Sequence, residues 1–274
     1  MASHSKSLPL SRRKVLDASQ VMASPGSHLY ELRIYHPMPG RLDDLVERIG
    51  SAMPPFFERH GFAPRLGQWT AVVAAAAPVF VWLLRWTDFA QRTAAFAGLG
   101  ADDEWNSLRI RTNGPCEMVR RYDLRFLTPA AAWLAFDAGR KAPPSCGLYE
   151  LRVQPIAVGR TRQAGDALAA VDLPALATSG TTVVAVFDYV SGPATPGVSM
   201  LLGWPDFGQR HAALAAYERT AEVIAARRGE RAQWGGEHLL GEAGAMLLEP
   251  TRYGAPDLWR TSPATTHAHD REKT

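Results

Sequence analysis

The sequence predicts an α+β fold made by tandem duplication. Three observations predict it. Leu29-Tyr30-Glu31-Leu32-Arg33-Ile34 recurs as Leu148-Tyr149-Glu150-Leu151-Arg152-Val153. Trp86-Thr87-Asp88-Phe89-Ala90-Gln91-Arg92 recurs as Trp204-Pro205-Asp206-Phe207-Gly208-Gln209-Arg210. The spacing is nearly constant: Tyr30 and Tyr149 lie 119 positions apart, Trp86 and Trp204 lie 118 apart. Each copy is the size of a domain, so the repeat is a duplication of one module and not a solenoid.

Each element follows from local pattern. Tyr30 to His36 alternates residue type at period two, with β-branched and aromatic members, and reads as a strand. Pro39-Gly40 turns the chain, matched more loosely by Val158-Gly159. Leu42, Leu45, Val46, Ile49, Met53 and Phe56 then recur at helical spacing. Pro54 and Pro55 interrupt that helix, and Gly61 is placed to end it. Leu168, Val171, Pro174 and Gly180 occupy the matching places in the second copy. Gln68 to Val73 and Val79 to Trp86 read as two further strands. Asp88 and Asp206, each followed three residues on by glutamine, read as helix N-caps with a capping box. Met118 to Leu127 and Ala245 to Glu249 are the closing strands. The order β-α-β-β-α-β is the ferredoxin-like pattern. Its sheet carries helices on one face only, so the other face needs a cover. Two copies, at residues 28–129 and 147–253, supply it by packing sheet to sheet as an intrachain α+β barrel. Residues 130–146 form the linker, with room for a short helix.

The composition narrows the function classes. No stretch of the 274 residues reaches the roughly 20 apolar positions that a membrane-spanning helix needs. The formal net charge of +3 resides in the first 27 residues, where Lys6, Arg12, Arg13 and Lys14 face only Asp17. The body is neutral, which argues against a nucleic-acid partner. Cys116 and Cys146 lie outside any C-x-x-C pattern and are expected free and buried. Ser11-Arg12-Arg13-Lys14 resembles a twin-arginine signal, but the stretch after it is too polar for export. A decayed signal and a chance basic tail both predict a cytoplasmic protein with a disordered segment over residues 1–27. Residues 254–274 read as a second tail, whose His267 and His269 are weak evidence for a metal site.

Tyr30-Glu31-Leu32-Arg33-Ile34-Tyr35, Pro39-Gly40, His60-Gly61-Phe62, the Trp86 to Arg92 run and Asp103-Glu104-Trp105 together resemble the NIPSNAP family. The likeness covers residues 28–127 well and 147–250 more weakly. That family is similar to the dimeric α+β barrel superfamily, which includes cofactor-free monooxygenases, muconolactone isomerases and haem-degrading enzymes. The resemblance implies the barrel and a small-molecule pocket without fixing one reaction.

Strand parity divides the first strand into Tyr30, Leu32 and Ile34 on one side and Glu31, Arg33 and Tyr35 on the other. The apolar set is expected against the helices and the polar set inside the barrel. Glu150, Arg152 and Gln154 are expected to join it from the second copy. In the functional reading, Arg33 or Arg152 holds a carbonyl or enolate oxygen while Glu31, Glu150 or Tyr35 moves a proton. In the structural reading, the Glu–Arg pairs brace the barrel. His36, at the strand end, is expected solvated near the barrel mouth. His60 is expected to complement a helix C-terminus, His211 to be exposed, and His238 to line a loop or ligate haem. Among the aromatics, Phe80, Trp82 and Trp86 share one face. Trp69 and Trp82, with His36 and Gln154, are the candidate substrate wall.

No nucleotide-binding, hydrolase-triad or zinc-protease motif is present in the sequence. Two functions remain open. One is an enzyme using cofactor-independent acid–base chemistry, by isomerisation, cyclisation or oxygenation, on an apolar carbonyl compound. The other is a non-catalytic small-molecule binder or scaffold, with a haem protein as a further alternative. No metal is expected. The chain is expected to act as a monomer with an intrachain pseudo-dimer, or as a homodimer through its outer surface.

Overall fold

A computed structural model of the chain describes residues 28–63, 66–137, 145–236 and 238–254. The expected tails, with His267 and His269, lie outside the described residues apart from Gly254. The first repeat supplies β1 (Leu29–Pro37), β2 (Gly67–Val73), β3 (Phe80–Trp86) and β4 (Val119–Pro129). The second supplies β5 (Leu148–Pro155), β6 (Thr182–Ser191), β7 (Gly197–Trp204) and β8 (Gly244–Pro250). They close into one barrel in the order β1-β3-β2-β8-β5-β7-β6-β4. Each repeat keeps its four strands adjacent and joins the other through its second and fourth strands. β2 pairs antiparallel with β8, and β4 pairs antiparallel with β6. Closure leaves neither sheet an exposed edge.

The helices lie outside the ring. After β1 come α1 (Leu42–Glu47), a π-helical turn (Arg48–Ala52) and α2 (Pro54–Arg59). The π turn holds one extra residue, which advances the following face by one position. That is why Phe57, and not the expected Phe56, enters the core beside Leu45, Ile49 and Met53. Gly61 ends this segment at φ +70°, as its freedom from a Cβ predicts. α3 (Phe89–Gly100) and α4 (Asp103–Asn113) follow β3. The second helical position of the expected pattern thus holds two helices. α5 (Ala131–Asp137) lies in the linker but is no passive spacer, because Ala132 and Trp133 are buried and the Trp133 ring lies 6.0 Å from Phe187. The second repeat has α6 (Thr161–Ala167), a π turn (Leu168–Asp172), α7 (Leu173–Thr178), α8 (Phe207–Glu218) and α9 (Ala221–Gln233). Asp88 and Asp206 cap α3 and α8, each accepting from the backbone N–H of the glutamine three residues on at 2.8 Å.

The two faces of β1 are reversed relative to the sequence expectation. Leu32 points into the barrel with Trp69, Val81, Leu83, Leu127, Leu151, Phe187, Leu201 and Leu248, around a residual space of about 10 Å³. That is near the lower limit for one water molecule. Eight strands give an interior that side chains can fill, and here they do. The barrel interior is therefore packed core and not the expected ligand cavity. Glu31, Arg33 and Tyr35 point outward into the layer beneath the helices, and Glu150 and Arg152 do the same in the second repeat. The physical reason is partner supply. The space around Leu32 is lined by apolar side chains and Ser199 and offers no cation, whereas α3 and α8 bring Arg92 and Arg210 over the outer face.

Candidate active-site cleft

Glu31 organises the outer layer of the first repeat. It is fully buried. Its Oε1 accepts from Arg33 Nη1 and from Arg92 Nη2 at 2.8 Å. Its Oε2 accepts from Arg92 Nε at 2.8 Å and from Trp86 Nε1 at 3.0 Å. All of its lone pairs are engaged, so it braces two arginines. One carboxylate between two guanidinium groups leaves this cluster with a net positive charge.

Arg33 spends a second donor on Tyr35, whose hydroxyl accepts from Nε at 2.9 Å. Nη2 has no hydrogen-bond partner among the described residues. Rings surround the guanidinium: its Cζ lies 4.8 Å from the Phe96 centroid, 5.4 Å from Tyr35, 5.5 Å from Trp82 and 5.7 Å from Tyr122. These distances are within cation–π range. Burial pushes the Tyr35 phenol above its ordinary value, opposed by Arg33. Tyr35 therefore stays protonated at neutral pH. Because its oxygen accepts from Arg33, its own O–H remains available to donate. Tyr122 is 56% exposed and Phe89 48% exposed, so the ring cluster meets solvent along β4 and the start of α3. Phe126 continues the wall, 4.9 Å from Phe89.

The second repeat keeps the ions and loses the rings. Glu150 accepts from Arg152 Nε at 2.6 Å and from Arg210 Nε at 2.7 Å. Cross-strand register places Met200 beside Arg152 where Trp82 stands beside Arg33. Ala245 and Leu247 oppose Arg152 and Glu150 where Leu124 and Phe126 oppose Arg33 and Glu31. Gln154 replaces Tyr35, and its amide donates to the Gly241 carbonyl at 3.2 Å.

The expected site residues are thus dispersed. Arg33, Tyr35 and Trp82 meet with Glu31 in one cluster, while Glu150, Arg152 and Gln154 form a separate one in the other module's outer layer. Trp69 lies inside the barrel, 6.0 Å from the Tyr149 ring. His36 is buried instead of solvated, with Nε2 within 3.1 Å of Asp123 and 2.8 Å of Arg121. It ends the inner face of β1, away from the cleft. His60 pairs with Asp102 at 2.7 Å, a contact between α2 and α4 and not a dipole effect alone. His238 is drawn towards Glu230 at 3.5 Å. Buried Leu168, Leu173, Leu176, Leu202 and Trp204 lie in the layer between the second sheet and its helices. Among the described residues, no group of three or more His, Cys, Asp or Glu could hold a metal ion, and no helix is long and apolar enough to cross a membrane. Neither cysteine is in a disulfide; Cys116 is exposed and Cys146 is buried.

Arg92, Phe96, Tyr122 and Phe126 were not singled out from the sequence as site residues. Arg92 lies inside the repeated motif, so the repeat itself carried that signal. The three rings differ from their second-repeat counterparts, and that asymmetry is legible only once the register is known.

The family model for NIPSNAP matches residues 30–133. No curated protein matches the sequence. Among solved structures, a candidate monooxygenase from Lactobacillus acidophilus aligns with 82% of this chain and 94% of its own, with a TM-score of 0.53 at 8% identity. Chlorite dismutase from Candidatus Nitrospira defluvii in complex with imidazole aligns with 86% of this chain and 95% of its own, with a TM-score of 0.51 at 7% identity. A NIPSNAP family protein from Agrobacterium tumefaciens covers 38% of this chain and 94% of its own, with a TM-score of 0.34 at 13% identity. At such identities the full-length likenesses establish the fold alone.

Proposed function

We propose that the Arg33 site, in the module whose residues 30–133 match the NIPSNAP family model, binds a small, largely apolar compound through a carbonyl or enolate oxygen. The observation that carries this reading is the guanidinium of Arg33, held by Glu31, ringed by aromatic faces and left with Nη2 unengaged beside the Tyr35 hydroxyl. Two neighbouring donors, in a cluster of net positive charge, would favour the anionic form of an oxygen bound beside them. The rings suit a flat apolar body. Isomerisation, cyclisation and oxygenation of carbonyl compounds each pass through such an anion; Arg33 and Tyr35 would stabilise it after a base from solvent has taken the α-proton. Arg33 and Tyr35 contact the oxygen; Glu31 and Arg92 position Arg33.

The saturation of Glu31 favours a second reading. With no lone pair left to take a substrate proton, Glu31 is no general base, and a cleft that only binds a preformed anion is consistent with that geometry.

A chromophoric phenol tests the cleft. Bound 4-nitrophenol should stay in its yellow anionic form to a pH about one to two units lower than in free solution, the scale of a hydrogen bond to a charged group. Arg33→Met and Tyr35→Phe should each reduce that shift while circular dichroism stays unchanged. Absence of a shift in the wild type, or an undiminished shift in both variants, refutes the site. Exchange of the α-protons of 2-indanone in D2O, followed by NMR, separates the two readings. An enzyme accelerates exchange and loses that acceleration in Arg33→Met; a binder leaves the rate at its background value.

A further inference from the structure

Arg33, Trp82 and Gln68 form one row across β1, β3 and β2, each the cross-strand partner of the next. All three side chains face the helix layer. Gln68 is 1% exposed, yet neither atom of its carboxamide has a hydrogen-bond partner. Trp82 Nε1 beside it is likewise buried and unpartnered. Buried polar groups are nearly always paired, so two neighbouring orphans call for an explanation.

The second repeat supplies an internal comparison. The corresponding row is Arg152, Met200 and Val186. Met200 and Val186 are fully buried and apolar. The fold therefore has no need of a polar pair at this place, and the same architecture is satisfied by two hydrocarbon side chains. The polar pair stands only where the aromatic cleft stands, and Trp82 is common to both: its ring lies 5.5 Å from the Arg33 guanidinium and 5.8 Å from the Tyr35 ring.

We propose that the ligand of the Arg33 cleft carries a second polar group, and that the Gln68 carboxamide and the Trp82 indole N–H recognise it. This rests on the reading of Arg33 as the anchor for an anionic oxygen. Two strand spacings separate Arg33 from Gln68, ~10 Å between their Cα atoms. A rigid aromatic body with an anionic oxygen at one end and a hydrogen-bond acceptor at the other matches that spacing. The acceptor follows from the donors: Trp82 can only donate, and the Gln68 amide nitrogen can join it.

Two benzoates of similar shape test this, 4-acetylbenzoate with a carbonyl at the far end and 4-isopropylbenzoate with none. Calorimetric titration of the full chain should show the acetyl compound binding about fivefold to tenfold more tightly, the scale of one or two neutral hydrogen bonds. Gln68→Val, which installs the second repeat's own residue, should bring the ratio close to one without lowering the melting temperature. Trp82→Phe, which removes only the indole N–H and part of the ring, should lower it partway. Arg33→Met should weaken both compounds equally and keep their ratio. A wild-type ratio near one, or an unchanged ratio in Gln68→Val, overturns the role of Gln68 while leaving the Arg33 anchor standing. Binding of neither compound overturns both.

Discussion

Replacing Glu31 by glutamine removes one negative charge from a fully buried position that holds two arginines. The carboxylate accepts four hydrogen bonds, three of them from guanidinium groups. Glutamine keeps the shape but turns one acceptor into a donor facing an arginine. Arg33, which is 6% exposed, then keeps a positive charge with no counterion in contact. Breaking a buried ion pair from one side costs about 3–5 kcal/mol. For a domain of 150–250 residues that corresponds to a fall in melting temperature of roughly 6–20 °C. The assay is thermal unfolding followed by circular dichroism at neutral pH. Glu150→Gln should fall by a comparable amount, because Glu150 plays the same part between Arg152 and Arg210. Arg33→Met should cost less than either, since Glu31 keeps Arg92 and Trp86. A Glu31→Gln protein that melts within about 2 °C of the wild type would refute the claim that this carboxylate braces the outer layer.

Two further predictions concern the inner side of the barrel. Burial pushes the Tyr149 phenol up to about 12. Its folded value is above the unfolded one, so its contribution to stability is intact below pH 10 and declines as pH rises from 10 to 12. Urea unfolding across that range should show Tyr149→Phe losing less stability than the wild type; equal losses would contradict the burial. The two cysteines should separate by reactivity. Iodoacetamide under native conditions should add one label, at exposed Cys116, whereas Cys146, whose thiol burial pushes up, should react only after denaturation. Equal labelling in the native state would show that the barrel end around Cys146 is open.

Much of the architecture is legible in the residues. The duplication is visible because two motifs recur at nearly constant spacing. The strands are visible from period-two alternation, and the caps from Asp88 and Asp206, because an N-cap is a local interaction over three residues. Closure of the barrel follows from the same logic, since a sheet with helices on one face needs a cover. What the residues alone leave open is which face of β1 is covered by what. Leu32 and Arg33 alternate equally well in either orientation. The choice depends on Arg92, 61 positions from Glu31, arriving over the outer face on α3. Only the tertiary structure brings that partner, and with it the charges leave the packed interior for the helix layer. The same holds for the contrast between repeats. Trp82 and Gln68 are ordinary strand residues until register sets them beside Arg33 and aligns them with Met200 and Val186. The physical reason is that a strand's local pattern fixes its alternation, whereas burial, pairing and ligand access are set by neighbours distant in the chain.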